Sequence, residues 1–305
     1  MASSVEYQEY SARLQEIERQ VGDLPVLPAA AMEALRRMEG REVSAAELQQ
    51  VIARDQALGA QILRYANSAL YCFQGRVSSL SHAIAVMGFD ALRALLVGAA
   101  MKRFFASDDM SRCASALRPL WYHSWGAALA AKAVARACRY SNVDEALTGG
   151  LVHDLGKLVM LRNHSGAYRQ IIDRVTDGNT TFCEVETASF GFTHAQVGAL
   201  LALKWYFPPS LVRAILHHHE PIILQGQDRL TAIVSLANRI TVLYGVGYEA
   251  DDSPGLGEEP SARALGLGEK ELEGLLAEIR DLFSGVPELD GAGRDHAAGR
   301  RVADA

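Results

Sequence analysis

The sequence predicts an all-α protein, a bundle of many helices. Three observations carry that prediction. Sustained two-residue alternation of apolar and polar side chains is nearly absent, and no Asn-Gly turn stands between β-branched runs. Apolar positions recur instead at close to the ~3.6-residue helical spacing, as in Leu48, Val51, Ile52, Leu58, Ile62 and Leu63. Helix-start signatures also open several runs: Ser44 with Glu47, Asn142 with Glu145, and Thr193 with Gln196.

Taken in order, residues 5–20 read as a polar amphipathic lead-in helix. Asp23-Leu-Pro-Val-Leu-Pro28 is extended, because each proline disfavours helix for the residue before it. A short helix follows and ends near Gly40, and Ser44 opens the next. Residues 67–79 form a linker turning at Gly75, and two apolar helices fit 80–87 and 89–105. Asp108 to Arg112 is a polar break. Leu117 to Arg139 is crowded with alanine, which has the best helix propensity and lets helices approach closely. Asn142 opens a helix that runs into Leu151-Val-His-Asp-Leu-Gly156. Thr193 opens another, placing His194 in its first turn, and Pro208-Pro209 stops it. Ser210 starts the next, which ends at Pro221, and 228–245 form one more. Residues 249–268, rich in Gly, Pro and acid, read as a mobile linker. Glu269 to Phe283 forms a last helix, and the tail after Gly285 has a disordered composition. The expected organisation is a lead-in helix (1–17), a helical domain (18–248), the linker (249–268), a C-terminal helix (269–284) and the tail (285–305).

Bulk properties narrow the function. Residues 249–305 hold 14 acids against 6 bases, whereas residues 1–248 hold 22 acids and 24 bases. The body is therefore nearly neutral, which argues against a nucleic-acid partner. No stretch reaches the ~18 uninterrupted apolar residues of a membrane span, and Met1 to Tyr10 lacks a signal-peptide pattern. A cytoplasmic protein without a membrane partner is expected. Cys72, Cys113, Cys138 and Cys183 show no CxxC spacing and read as reduced thiols outside any metal site.

The chemistry centres on His153-Asp154, set between Leu151-Val152 and Leu155. An imidazole and a carboxylate buried there need a partner, and a divalent metal would serve. Mixed nitrogen and oxygen donors suit iron, manganese, zinc or nickel. Lys157 follows three residues later, placed to balance the carboxylate or orient a phosphate. His123 lies one long helix upstream, and His194 heads a later helix. In Ile215-Leu-His-His-His-Glu220 successive residues turn by about 100°, so three histidines cannot share one site. His217 points outward, while His218 and His219 border the core face and both remain candidates.

The order His123, His153-Asp154, Lys157, His194, His218-His219-Glu220 resembles the HD superfamily of metal-dependent phosphohydrolases, including HD-GYP phosphodiesterases. Leu24-Pro-Val-Leu-Pro28, Asp55-Gln-Ala-Leu58, Ala66-Asn-Ser-Ala69, Ser78-Ser-Leu-Ser-His-Ala-Ile84 with Gly88, and Ala237-Asn238-Arg239 resemble the HDOD family, the HD-related output domain, over roughly residues 18–245. The resemblance implies an HD/HDOD-type bundle in bacterial signalling, with a protein or nucleotide partner. It also implies a metal set of His123, His153, Asp154, His194, His218, His219 and Asn238, for one or two ions. Asn238 stands where active HD enzymes carry an aspartate, and Pro221-Ile-Ile-Leu replaces the HD-GYP signature. Three readings follow: a non-catalytic or weakly catalytic regulator holding metal, a phosphodiesterase acting on a nucleotide or cyclic dinucleotide with Lys157 on the phosphate, or a bundle of structural histidines without metal.

Overall fold

The helix starts legible in the sequence form as capped N-termini. The Ser44 hydroxyl accepts the Glu47 N–H while the Glu47 carboxylate accepts the Ser44 N–H. Thr193 and Gln196 make the same reciprocal pair, and the Asn142 side chain accepts the Glu145 N–H. A further box, Thr181 with Glu184, opens a helix that sequence reasoning did not mark.

The computed structural model describes residues 15–38, 43–67, 77–105, 113–178, 180–220, 228–249, 256 and 259–286. Within them every regular element is helical. After a helical segment at 15–21 come α1 (Ala29–Met38), α2 (Ala45–Ile52), α3 (Gln56–Ala66), α4 (Leu80–Phe105), α5 (Ala114–Ala137), α6 (Val143–Val152) and α7 (Leu155–Asn163). They are followed by α8 (Ser165–Thr176), α9 (Phe182–Phe190), α10 (His194–Lys204), α11 (Pro209–His217), α12 (Arg229–Leu243), α13 (Pro260–Leu265) and α14 (Glu269–Ser284). Most of the lead-in helix, Gly40, the Gly75 turn, Cys72, Asp108 to Arg112, Pro221, most of 249–258 and the tail from 287 lie outside the described residues.

The alanine-rich α5 and α6 form the central pair, with α12 laid across both. Gly150 explains their closeness: a Cβ there would fall 2.4 Å from the Ala127 carbonyl oxygen. Helices α1–α3 pack on α4, and α4 packs on α6. One apolar core runs from Ile17 to Phe283. Gly88, at φ +79°, breaks α4 into the two expected helices. Leu80–Gly98 is long and apolar enough to cross a membrane, but more than half of it is buried inside the fold.

The 23–28 segment is extended and pinned. Asn163 Nδ2 donates to the carbonyls of Val21 and Asp23, and Trp205 Nε1 donates to that of Pro25. The Asn67 side chain bonds both the N–H and the carbonyl of Val77. The expected linker departs from its reading at its end: Pro260–Leu265 is a helix on α12, with Ala262 and Leu265 buried and Ser261 Oγ 3.1 Å from Ser235 Oγ. Its proline takes the first helical position, where no N–H is needed. The final helix buries Leu272, Leu275, Ile279 and Phe283, whose roughly one-turn spacing forms a stripe against α5.

Candidate metal centre

Helices and the turns between them aim polar side chains at one buried point. Contrary to the continuous helix read from the sequence, α6 ends at Val152, His153 caps it, and Asp154 (φ −98°, ψ 14°) lies in the turn before α7. The turn is held where α7 meets α10: a Cβ on Gly156 would sit 1.9 Å from the His194 carbonyl oxygen, and Gly198 faces Gly156 across the crossing. His123 comes from α5, Asn238 from α12, His194 from the first residue of α10, and His218 and His219 from the turn that closes α11.

The donors fall into two groups sharing the Asp154 carboxylate. Around Oδ2 stand His123 Nε2 at 3.5 Å, His153 Nε2 at 3.4 Å and Lys157 Nζ at 2.8 Å. Asn238 Oδ1 is 2.9 Å from His123 Nε2, which is 3.2 Å from His153 Nε2. Around Oδ1 stand His194 Nε2 at 3.3 Å and His218 Nε2 at 3.7 Å, with His219 Nε2 2.9 Å from His194 Nε2. Each ring of the first four histidines has its other nitrogen on an acceptor: His123 Nδ1 on Val246 O, His153 Nδ1 on Gly150 O, His194 Nδ1 on Glu186, and His218 Nδ1 on Ile215 O. With Nδ1 donating, Nε2 turns a lone pair inward, the tautomer that binds metal. Facing lone pairs at about 3 Å repel unless a proton or a cation lies between them.

Electrostatics favour positive charge at the centre. Burial opposes ionisation of Asp154, but His153, Lys157, His194 and His218 outweigh it and hold the carboxyl well below its usual range. Burial also opposes charge on His194, yet Glu186 and Asp154 lift its pKa to about 9, so positive charge on that ring is favoured. Burial keeps His153 and His218 neutral, below the ordinary histidine value. Lys157, buried over the Phe182 ring at 4.2 Å, stays charged through Asp154. The donor set fits a divalent metal: Asp154 Oδ1 and His218 Nε2 are buried acceptors without a hydrogen-bond partner.

The HDOD domain family matches residues 24–221, about two thirds of the sequence. The chain belongs to the HDOD family. An uncharacterised protein of Treponema pallidum (strain Nichols) is 27% identical to this HDOD chain over 232 residues, 73% of this chain but 43% of that protein. The chain thus spans under half the length of that relative. Among solved structures, an HDOD domain protein of unknown function from Geobacter sulfurreducens superposes with a TM-score of 0.73 at 24% identity, covering 94% of this chain and 98% of that one. A protein of Marinobacter aquaeolei VT8, provisionally named a signal transduction protein, gives 0.66 at 20% identity, over 95% and 65% of the two chains. A protein of Shewanella amazonensis SB2B, provisionally named a phosphohydrolase, gives 0.62 at 24% identity, over 94% of each. These similarities establish the helical HDOD fold.

All seven residues of the expected metal set converge in this chain, six of them within the residues the HDOD family matches and Asn238 beyond them, with Lys157 alongside. His218 and His219 both reach the centre from the turn that closes α11, His218 Nε2 lying 3.7 Å from Asp154 Oδ1 and His219 Nε2 2.9 Å from His194 Nε2. Three contributors went unread in the sequence. Glu186 Oε2 accepts from both the backbone N–H and Nδ1 of His194, while its Oε1 accepts the Tyr168 hydroxyl. Gly247, at φ +114°, closes on the His123 ring, where a Cβ would come within 3.1 Å of Nδ1. The one available signal for Glu186 was an acid set beside Val185 in the run Phe182–Phe190. Cys113, Cys138 and Cys183 are free thiols, as expected. Burial and Glu186 push the Cys183 thiol up to about 12, away from the thiolate a metal needs.

Proposed function

We propose that this HDOD chain is a signalling module that keeps a divalent metal at the His/Asp cluster and acts through a protein or nucleotide partner instead of by turnover. The observation that carries this reading is the number of protein donors: seven side chains converge, enough to fill a metal's coordination without substrate or water, and six of them are buried. A catalytic metal keeps an open position for substrate, whereas a closed donor set is structural. Asn238 points the same way, being neutral where a carboxylate would hold a second cation. His123, His153, Asp154, His194, His218, His219 and Asn238 supply donors for one or two ions of the zinc, iron, manganese or nickel class. The signalling role agrees with the name given to the Marinobacter neighbour.

A second reading is metal-dependent hydrolysis of a nucleotide or cyclic dinucleotide. The observation favouring it is the Asp154 carboxylate standing between two donor groups. When bound there, metal would supply Lewis-acid activation of a phosphoryl oxygen and of water; Lys157 would orient the phosphate.

Two measurements test these readings together. Elemental analysis of protein purified without chelator is expected to find bound metal, and an empty protein would overturn both. Hydrolysis of cyclic dinucleotides and generic phosphodiesters with added Mn or Fe is expected to stay at background. Turnover that disappears in His153→Ala would overturn the regulatory reading in favour of the second.

A further inference from the structure

The two halves of the cluster are unequal in hydrogen bonding. In the half around Asp154 Oδ2, the carboxylate oxygen already carries the Lys157 ammonium at 2.8 Å. The Asn238 side chain lies 2.9 Å from His123 Nε2, and an amide rotated by a half-turn presents N–H donors at the same place. Asn238 can therefore donate to the inward lone pair of His123, which an aspartate could not do. A cation entering this half would displace an ammonium from one ligand and an amide donor from another.

The half around Oδ1 has no such internal partners. Asp154 Oδ1 and His218 Nε2 are the two cluster atoms left buried without a hydrogen bond, and both belong to it. His194 and His219 bring Nε2 to within 2.9 Å of Nε2. His194 is also backed by the Glu186 carboxylate, whereas His123 and His153 are backed by neutral carbonyls. A carboxylate behind an imidazole raises its basicity as a ligand. Donor spacing does not separate the halves: both lie near the ~3.3 Å edge of a tetrahedron with metal–nitrogen bonds of about 2.0 Å. Hydrogen bonding and charge do separate them.

We infer that the cluster holds one metal ion, bound by Asp154 Oδ1, His194, His218 and His219, while Lys157 and Asn238 fill the other half in place of a second ion. This rests on the metal reading above and fixes its count and position. Three imidazoles and one carboxylate select a zinc, iron or nickel ion over magnesium or calcium. The exposed His219 is the ligand by which the ion enters.

The test is metal stoichiometry in the full chain, loaded with excess Zn, desalted and measured by plasma mass spectrometry. The wild type is expected to retain one Zn per chain. His219→Ala, at an exposed position compatible with folding, is expected to lose it, and Glu186→Gln to weaken Zn affinity about 10-fold or more. His123→Ala is expected to keep one Zn, and Asn238→Asp, which removes the amide donor and adds a charge, to raise the count to two. Two Zn in the wild type, or a Zn lost in His123→Ala and kept in His219→Ala, would overturn the assignment and leave the metal reading standing. No Zn in any variant would overturn both. Circular dichroism of each variant separates loss of metal from loss of fold.

Discussion

Glu186 Oε2 takes two hydrogen bonds from one residue, the backbone N–H and the ring Nδ1 of His194, each at 2.7 Å. The backbone N–H is one of those a helix leaves unsatisfied at its N-terminus. One carboxylate thus fixes both the start of α10 and the orientation of its first side chain, and Tyr168, 2.6 Å from Oε1, holds the carboxylate.

Replacing Glu186 by Ala therefore strands a buried N–H, a buried imidazole and a buried phenol together. A loss of about 3–5 kcal/mol in unfolding free energy is expected. Tyr168→Phe removes one hydrogen bond and should cost about 1–2 kcal/mol. Urea titration followed by circular dichroism measures both. Equal losses would mean that the carboxylate does not organise the contact.

Gly156→Ala drives a Cβ toward the His194 carbonyl and forces α7 and α10 apart. At least about 1–3 kcal/mol of destabilisation is expected, the usual range for overpacking. Gly166, also helical, has nothing within 4 Å of the place a Cβ would take, so Gly166→Ala should stabilise by up to about 1 kcal/mol. Shifts in urea midpoint of the same sign would refute the crossing described above.

Acid should weaken the chelated protein below about pH 6.5, the free histidine value. Burial lowers the folded pKa of His153 and His218, so in that range the unfolded chain binds protons that the folded chain refuses. His194, raised to about 9, is protonated in both states below 6.5 and adds no slope there. Asp154, held well below its usual value, loses its contribution only below about pH 4. Thermal melts from pH 7.5 to 5 check this; a flat profile would contradict it.

On the proposed metal reading, metal should raise the melting temperature, because the unfolded chain lacks the assembled site. At a free concentration of about 100 times Kd the gain is about 2.7 kcal/mol. Scanning fluorimetry with and without Zn reads it, and coincident melts would count against a bound ion.

Helix starts were legible because their signals are local. Ser44, Asn142 and Thr193 each meet their partner three residues on, so short sequence windows contain the whole interaction. The cluster histidines were legible as chemistry and by resemblance, since an adjacent His-Asp pair in apolar sequence calls for a partner. The break at Asp154 was not, because it is imposed from outside the segment by the close approach of α10 at Gly156 and Gly198. Pro260–Leu265 escaped for a related reason: a Gly- and acid-rich composition hides two apolar residues whose burial depends on α12. Glu186 lies in an ordinary amphipathic helix, and its role comes from Tyr168 and His194, 18 and 8 residues away.

The pinned 23–25 segment has a mechanical consequence. Asn163 ends α7, which begins beside Asp154, and Trp205 follows the last residue of α10, which begins with His194. The two helices cross at Gly156 and Gly198, close to the cluster. Their far ends meet the carbonyls of Val21, Asp23 and Pro25, next to Val26, a valine exposed over 84% of its surface. The two helices that start at the cluster are thus tied at their far ends to one short stretch of chain that carries an exposed valine.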